Sequence, residues 1–282
     1  MYSLQFVSDS GETYVFGKNG NNVFDADFGD GASVNLGTSQ GFSQVGETVQ
    51  SQTVSGRDIT ISGVVFGNVY ERKETMRKII SPFSSGKIVF EGKYFARVYV
   101  KNAPSFSPVK NDGRFTLRLF APFPFFYSVN TQISEIGSVK PLFSFPVNYA
   151  FPHKFGEKAA SKYRNIVNNG DVSVPFSVLL QTSAVSRDIV IANLLNFKTL
   201  KINGKISVGE TINIYRDNYN VLRAELISGN VTTDIISWID ETSDLFELGV
   251  GANFISATDS YGGNSLSAKI VFNPAVVALY ES

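Results

Sequence analysis

Short runs of alternating apolar and polar residues between positions 56 and 128 constrain the fold of this chain more than any other feature. The first run places Ile59 and Ile61 on one face of an extended chain and Asp58 and Thr60 on the other. Similar runs follow at residues 87–91, 94–101 and 114–120. A repeat of two over several neighbouring runs predicts an antiparallel sheet with one buried face.

One segment within this block has helical rather than extended periodicity. Its large side chains recur at helical spacing, and Pro82 ends the pattern; they are Tyr70, Lys73, Met76, Arg77 and Ile80. A turn at Glu91-Gly92-Lys93 then predicts a hairpin between two of the alternating runs. We therefore expect an N-terminal α+β domain in which one helix crosses a sheet.

The second half contains many turn-forming groups between short apolar runs. They are Asn168-Asn169-Gly170-Asp171, Asn203-Gly204-Lys205, Val208-Gly209-Glu210, Ser228-Gly229-Asn230 and Gly262-Gly263-Asn264. Frequent turns between short strands predict a β-sandwich. With 282 residues, the chain is long enough for two domains, and we predict domains at 1–130 and 142–282 with a linker at 131–141.

Charge and cysteine content exclude several classes of protein. The 25 basic and 25 acidic side chains cancel, so the excess of positive charge expected of a nucleic-acid-binding protein is missing. There is no cysteine, hence no disulfide and no thiolate nucleophile. The first residues lack a basic and then apolar pattern, and no run of about 18 apolar residues follows. We expect neither a signal peptide, nor membrane insertion, nor a specific nucleic-acid partner.

Residues 41–55 have extended propensity but few apolar side chains to bury. We interpret this segment as an exposed arm or hairpin that meets a neighbouring molecule.

Several segments carry patterns of a known family. They are residues 56–63, 72–80, 86–100, 102–106, 121–124, 166–171, 200–205, 207–211 and 248–253. Together they resemble the distal tail protein (Dit) family of siphophages and prophages that infect Gram-positive bacteria. The resemblance implies a mainly β protein: an N-terminal α+β hub domain with one helix, followed by a galectin-like β-sandwich. It also implies that the hub domain closes into a homo-hexameric ring at the tip of the tail.

The same resemblance implies the partners and the location. The ring would join the tail tube protein to the tail-associated fibre or hub protein, and in many phages it also carries a receptor-binding protein. The protein would be assembled in the bacterial host cytoplasm and end in the virion, at the tail tip. In such a ring we expect the arm to make subunit contacts through Phe42, Val45, Val49 and Val54.

A carbohydrate-binding module acting in adhesion to the host cell wall is the alternative function. It would use exposed aromatic side chains of the second half as stacking surfaces for sugars. The candidates are Tyr215, Tyr219, Trp238 and Tyr261.

We predict no catalytic, metal or cofactor site, and no enzyme activity. His153 is the single histidine, so a histidine-based triad or metal site is hard to assemble. The acids Asp25, Asp27 and Asp30 do not follow the ligand spacing of a calcium loop, and they are interpreted as a solvated acidic loop. The acids nearest to a glycosidase pair are Asp240, Glu241 and Asp244, beside Trp238; a turn is the favoured interpretation.

Overall fold

A computed structural model describes residues 3–17, 22–29, 32–109, 111–137, 139–141, 156–158, 163–261 and 265–279. The chain forms two compact units. One consists of Met1–Asn130 together with Ala275–Ser282, and the other of Thr131–Pro274. The second unit is therefore inserted into the first along the chain. The prediction of a mainly β protein is confirmed.

Within the described residues, the first unit begins with ten strands and one α-helix. The strands are β1 (Leu4–Ser8), β2 (Thr13–Phe16), β3 (Asn22–Asp27), β4 (Val34–Ser39), β5 (Thr48–Val54), β6 (Arg57–Val65), β7 (Ser85–Phe90), β8 (Tyr94–Phe106), β9 (Arg114–Ala121) and β10 (Phe126–Ser128). The helix, α1, spans Val69–Ile79.

Seven of these strands follow one another in an antiparallel sheet in the order β2-β1-β7-β8-β9-β6-β3, and β10 belongs to the same sheet through its pairing with β8. The outermost strands β2 and β3 are distant in this order, yet the rings of Phe16 and Phe24 have centroids 5.8 Å apart. The sheet therefore curls around its buried face, which carries a core that includes Phe6, Ile61 and Leu117. The predicted alternation of β6 and β9 is confirmed, because their inward residues are buried and most of the others exposed.

Helix α1 covers part of this core. The side chain of Asn68 caps its first turn by accepting a hydrogen bond from the backbone N–H of Glu71 at 3.4 Å. Met76 and, just past the helix, Ile80 are fully buried. The helix also contacts β8 through two cations, since Lys73 and Arg77 both lie over the ring of Phe106.

In the part of the second unit that the structure describes, there are two larger antiparallel sheets and one small one. Its strands are β11 (Gln132–Ile136), β12 (Val139–Pro141), β13 (Gly156–Lys158), β14 (Tyr163–Asn168), β15 (Ser177–Thr182), β16 (Ser186–Asn193), β17 (Thr199–Ile206), β18 (Glu210–Arg216), β19 (Leu222–Ser228), β20 (Val231–Asp234), β21 (Gly251–Thr258) and β22 (Leu266–Phe272). The orders are β11-β22-β15-β18-β19-β20, β14-β21-β16-β17 and β12-β13.

The two larger sheets of this unit enclose a shared core. Val178 and Ile214 of the six-stranded sheet line a small cavity together with Leu200 of the four-stranded sheet. Such side chains alternate with partly exposed ones along each strand, as expected for a sandwich.

Three details differ from the sequence-based expectation. The segment Gln132–Ile136, expected in the linker, is the edge strand β11, of which only Ile136 is buried; an edge strand needs few apolar residues, so the sequence looks like a connector. The group Asn203-Gly204-Lys205 lies inside β17 rather than in a turn. Asp25 and Asp27 lie on β3 rather than in a loop.

The last strand, β23 (Ala275–Val276), returns to the first unit and pairs with β10. Its position differs from the predicted assignment of residues 142–282 to one domain. The buried side chain of Arg57 donates a hydrogen bond to the carbonyl of Val277 at 3.0 Å and lies 4.9 Å above the ring of Phe126. The return segment is thus held by backbone pairing and by one buried cation.

Candidate assembly interface

The most unusual feature of the first unit is a two-stranded ribbon that does not pair with the large sheet of this unit. Strands β4 and β5 pair only with each other. Every residue of both strands is exposed. We call residues 34–54 the arm. It contains the loop and second strand of the segment that the sequence predicts to be exposed. It also contains β4, whose pairing with β5 is not evident from the sequence.

The arm has one apolar and one polar face. In its register Val34 pairs with Val54, Leu36 with Gln52 and Thr38 with Val49, and paired residues of antiparallel strands point to the same side. The opposite face carries only polar side chains and glycine, from Asn35, Gly37, Ser39, Thr48, Ser51 and Thr53. The ribbon is therefore amphipathic, although nothing in the described part of the chain covers either face.

A β-bulge is what brings the apolar residues together. Val49 and Val54 are five positions apart, so in a regular strand they would point to opposite faces. The register shifts by one residue between Gly37 and Thr38, which returns Val49 to the face of Val54. Of the residues predicted to make subunit contacts, Val49 and Val54 therefore share a face. Val34 and Leu36, which were not among the predicted residues, lie on the same face.

The other two predicted contact residues lie at the tip. Phe42 and Val45 have relative exposures of 104% and 101%, so neither touches a core. The four apolar residues of the ribbon face are between 44% and 57% exposed. Exposed apolar side chains in this number, on a segment without a core of its own, are typical of an interaction surface.

The root of the arm is closely packed. A Cβ atom at Gly56 would lie 2.4 Å from the ring of Phe120 and 2.9 Å from the carbonyl oxygen of Ala121. At the other end of the root, the Asp27 carboxylate accepts a hydrogen bond from the N–H of Gly29 at 2.8 Å. These contacts fix the place where the arm leaves the sheet, while the arm itself stays uncovered.

The aromatic residues proposed for sugar stacking do not form one surface. Strand β15 pairs with both β18 and β22, and this register puts the turn that carries Tyr219 at one end of the sheet and the turn that carries Tyr261 at the other. Both side chains are exposed. Tyr215 lies near Tyr219, and its hydroxyl donates to the Glu225 carboxylate at 2.9 Å.

Trp238, the fourth candidate, packs on the protein itself. It ends a short 3-10 helix, Ile236–Trp238, and a Cβ atom at Gly204 would lie 2.1 Å from its ring. Glycine at this point of β17 leaves room for the indole, which explains why a turn-forming residue occurs inside a strand.

An open cleft occurs elsewhere in the second unit. Its volume is about 460 Å³, and polar and apolar side chains line it, among them Asn193, Asn196, Lys198, Glu247, Asn253, Leu195 and Val250. Asn193 and Asn253 are almost fully buried and joined at 3.4 Å. The Asn253 amide also donates to the carbonyl of Gly249 at 2.8 Å, so these two side chains hold the loops that form the cleft.

The acids beside Trp238 form a turn rather than a catalytic pair. Hydrogen bonds from the Thr242 hydroxyl, the Asn203 amide and the Thr242 N–H hold the pKa of Asp240 at about 2. Asp244 accepts from the N–H of Thr199. A general acid needs a raised pKa, which this environment does not give Asp240.

Two of the residues considered for metal or catalytic sites, His153 and Asp30, lie outside the described residues. Within the described ranges, no group of three or more His, Cys, Asp or Glu side chains is placed to hold a metal ion. No helix in the same ranges is long and apolar enough to cross a membrane.

The fold is that of Dit-like hub proteins of phage baseplates, and the predicted resemblance is confirmed at this level. The chain is similar to the Dit protein of phage SPP1, a hub of the adsorption apparatus in phages that infect Gram-positive bacteria. The TM-score is 0.66 at 12% identity, over 98% of this chain and 99% of that one. It is also similar to a chain of the phage P2 baseplate in its activated conformation with Ca, with a TM-score of 0.51 at 11% identity, over 96% and 97% of the two chains. No protein-family model and no curated protein sequence matches the chain.

Proposed function

We propose that this chain is a structural virion protein that forms a ring at the distal end of a phage tail. The observation that carries the proposal is the uncovered amphipathic arm on a unit with the fold of Dit-like hub proteins. The function follows from geometry rather than from catalysis.

The arm supports self-assembly because it is unfavourable in isolation. A two-stranded ribbon is marginally stable in water unless a further surface covers its apolar face. Arm and receiving surface are different parts of one copy, so the contact is heterologous, and repeated heterologous contacts close into a ring when the rotation allows. Val34, Leu36, Val49 and Val54 are the proposed contacts of the ribbon face, and Phe42 and Val45 those of the tip.

The finer features of the proposal come from the similarity to hub proteins. The ring is a homo-hexamer that joins the tail tube protein to the tail-associated fibre protein and to a receptor-binding protein. The second unit is galectin-like. The protein assembles in the bacterial cytoplasm and resides at the virion tail tip.

Light scattering coupled to size exclusion, with negative-stain images of the same peak, tests the ring. A hexamer weighs about 185 kDa, six times 30.9 kDa, and we expect a particle of that mass with a central opening. Leu36→Asp puts a charge on the apolar face and abolishes the particle, whereas the matched variant Ser51→Asp, on the polar face, retains it. Wild-type protein that stays at 30.9 kDa at high concentration contradicts the proposal.

Glycan binding by the second unit is the second candidate, favoured by the cleft around Asn193 and Asn253 and by the exposed rings of Tyr219 and Tyr261. Lys198 supplies a donor and Glu247 an acceptor for sugar hydroxyls, and Leu195 and Val250 supply apolar contact. Titration of the full chain with glucose, galactose and N-acetylglucosamine, followed by NMR, tests it. Shifts confined to the cleft and lost in Glu247→Gln support the candidate; shifts at Tyr219 or Tyr261 move the site to that turn, and no shifts reject it.

A further inference from the structure

The outward face of the N-terminal sheet carries a row of apolar side chains that does not belong to the core. Along β1, β2, β7, β8 and β10, the inward residues, such as Phe6 and Ile88, are buried. Most of the outward residues between them are half-buried, and Thr13 and Lys87 are exposed. Five of the half-buried ones, Val7, Val15, Val89, Phe95 and Tyr127, we call the outer strip.

The register makes the aromatic end of the outer strip continuous, whereas Gln5 lies between Val89 and Val15. Val89 pairs with Phe95 and Phe95 with Tyr127, and the Phe95 and Tyr127 rings stack with centroids 5.5 Å apart. The Tyr127 ring in turn stacks on Phe123 at 4.9 Å. A sheet face with valines and stacked aromatic rings is a surface on which a second β-layer packs well.

The arm matches this surface in polarity. Its apolar face is a β-surface of valine and leucine side chains, and the outer strip is a β-surface of valine and aromatic side chains. Packing the two against each other would remove both from water and leave the polar face of the arm outward.

The charges match as well. The only charged residue between positions 32 and 55 is Glu47, which is exposed. Beside the outer strip, Lys87 is exposed and lies 4.8 Å above the Phe95 ring. The Asp9 carboxylate pairs with the neighbouring Arg97 at 2.8 Å, and its charge also interacts with that of Lys87. Two positive charges and one negative charge therefore lie together here, and the arm brings a further negative charge to a surface with an excess of positive charge.

We propose that the outer strip receives the apolar face of the arm of a second copy, with Glu47 of the arm beside Lys87. This inference rests on the proposed ring and names the surface that completes its subunit contact. The arm of the same copy does not occupy the strip, because the arm residues are exposed. Occupation by a different tail protein is the competing outcome.

Charge exchange tests the pairing of Glu47 with Lys87. Glu47→Lys and Lys87→Glu each place like charges at every subunit contact, so we expect each to raise the concentration for half-assembly about tenfold, and more at low salt. The double variant restores assembly. A mixture of the two single variants also restores it, because each arm then meets an opposite charge on its neighbour. Additive losses in the double variant would overturn the pairing.

Cross-linking tests the contact directly, since the chain has no cysteine of its own. Mixing Leu36→Cys protein with Val89→Cys protein and adding a short bismaleimide should give dimers that contain one of each variant. Thr53→Cys, on the polar face of the arm, is the matched control and should give none. Wild-type rings without the Leu36–Val89 cross-link would overturn this inference and leave the proposed function standing, whereas a monomeric wild type would overturn both.

Discussion

At the scale of single residues, Arg57 is a cation in a place where few cations occur. It is only 5% exposed, no carboxylate faces it among the described residues, and its Nε finds no hydrogen-bond partner. Burial lowers the pKa of its guanidinium below the ordinary value, although an arginine stays charged at neutral pH. Its partners are the Val277 carbonyl and the Phe126 ring, so it stabilises the return segment.

Removing this cation should loosen the return segment rather than unfold the unit. Strand β23 has two residues, and its local stability depends on few bonds. We expect Arg57→Met to speed amide exchange around Val276 about tenfold, the equivalent of one hydrogen bond to a charged group. Hydrogen exchange measured by mass spectrometry reports this change. Arg118→Met, at an exposed arginine, is the control, and equal exchange in both variants would contradict a role for Arg57.

The pKa of the Asp240 carboxyl group is lowered from 3.8 to about 2 by hydrogen bonds from Thr242 and Asn203. Because the folded pKa lies below the unfolded one, the stabilisation is present above the unfolded pKa and is lost as the pH falls toward 2. We expect Asn203→Ala to raise the pKa of Asp240 in an NMR titration. Glu241→Ala should leave it unchanged; a wild-type value near 3.8 would contradict the hydrogen-bonded turn.

At the scale of elements, local periodicity explains what the sequence predicted. Strand β6 and helix α1 repeat their apolar positions at fixed spacing, so both could be located from the sequence. The arm could be predicted as exposed, but its apolar face could not. Val49 and Val54 have an odd separation, and only the bulge places them together. Leu36 was not among the predicted contact residues, because its strand β4 is recognisable only from its pairing with β5.

The root of the arm allows a test at this scale. Gly56→Ala would place a methyl group 2.9 Å from the backbone oxygen of Ala121 and closer still to the ring of Phe120, so the root must shift. We expect a loss of about 1–3 kcal/mol in urea unfolding, as for other overpacked sites. Gly41→Ala, near the tip, meets only the Gln44 side chain and should be nearly neutral. Equal stability of the two variants would show that the root is not constrained.

At the scale of the whole molecule, the insertion of one unit into the other lay beyond sequence reasoning. The bond from Arg57 to Val277 joins positions 220 residues apart, and neither residue carries a local signal for the other. The loss of aromatic residues after Asn130 is a local change in composition, and it is the reason why the sequence suggests a boundary there. The second crossing falls within the last strands, where short apolar segments look alike, so the return to the first unit could not be read from them.

The insertion makes the two units separable, and this gives the last prediction. Tyr127 of β10 pairs with Ala275 of β23, so the second unit interrupts what would otherwise be a hairpin. Loops of about two to five residues close such pairs.

Joining Asn130 to Ala275 through Gly-Gly should therefore give a folded first unit that still forms rings, because the arm and the outer strip both lie in it. The excised unit Thr131–Pro274 should also fold, since its first and last strands, β11 and β22, pair with each other. It should stay monomeric because it contains neither the arm nor the outer strip. Circular dichroism checks folding and mass photometry checks assembly. A first unit that is folded but monomeric, where the whole chain forms rings, would move the essential subunit contact to the second unit.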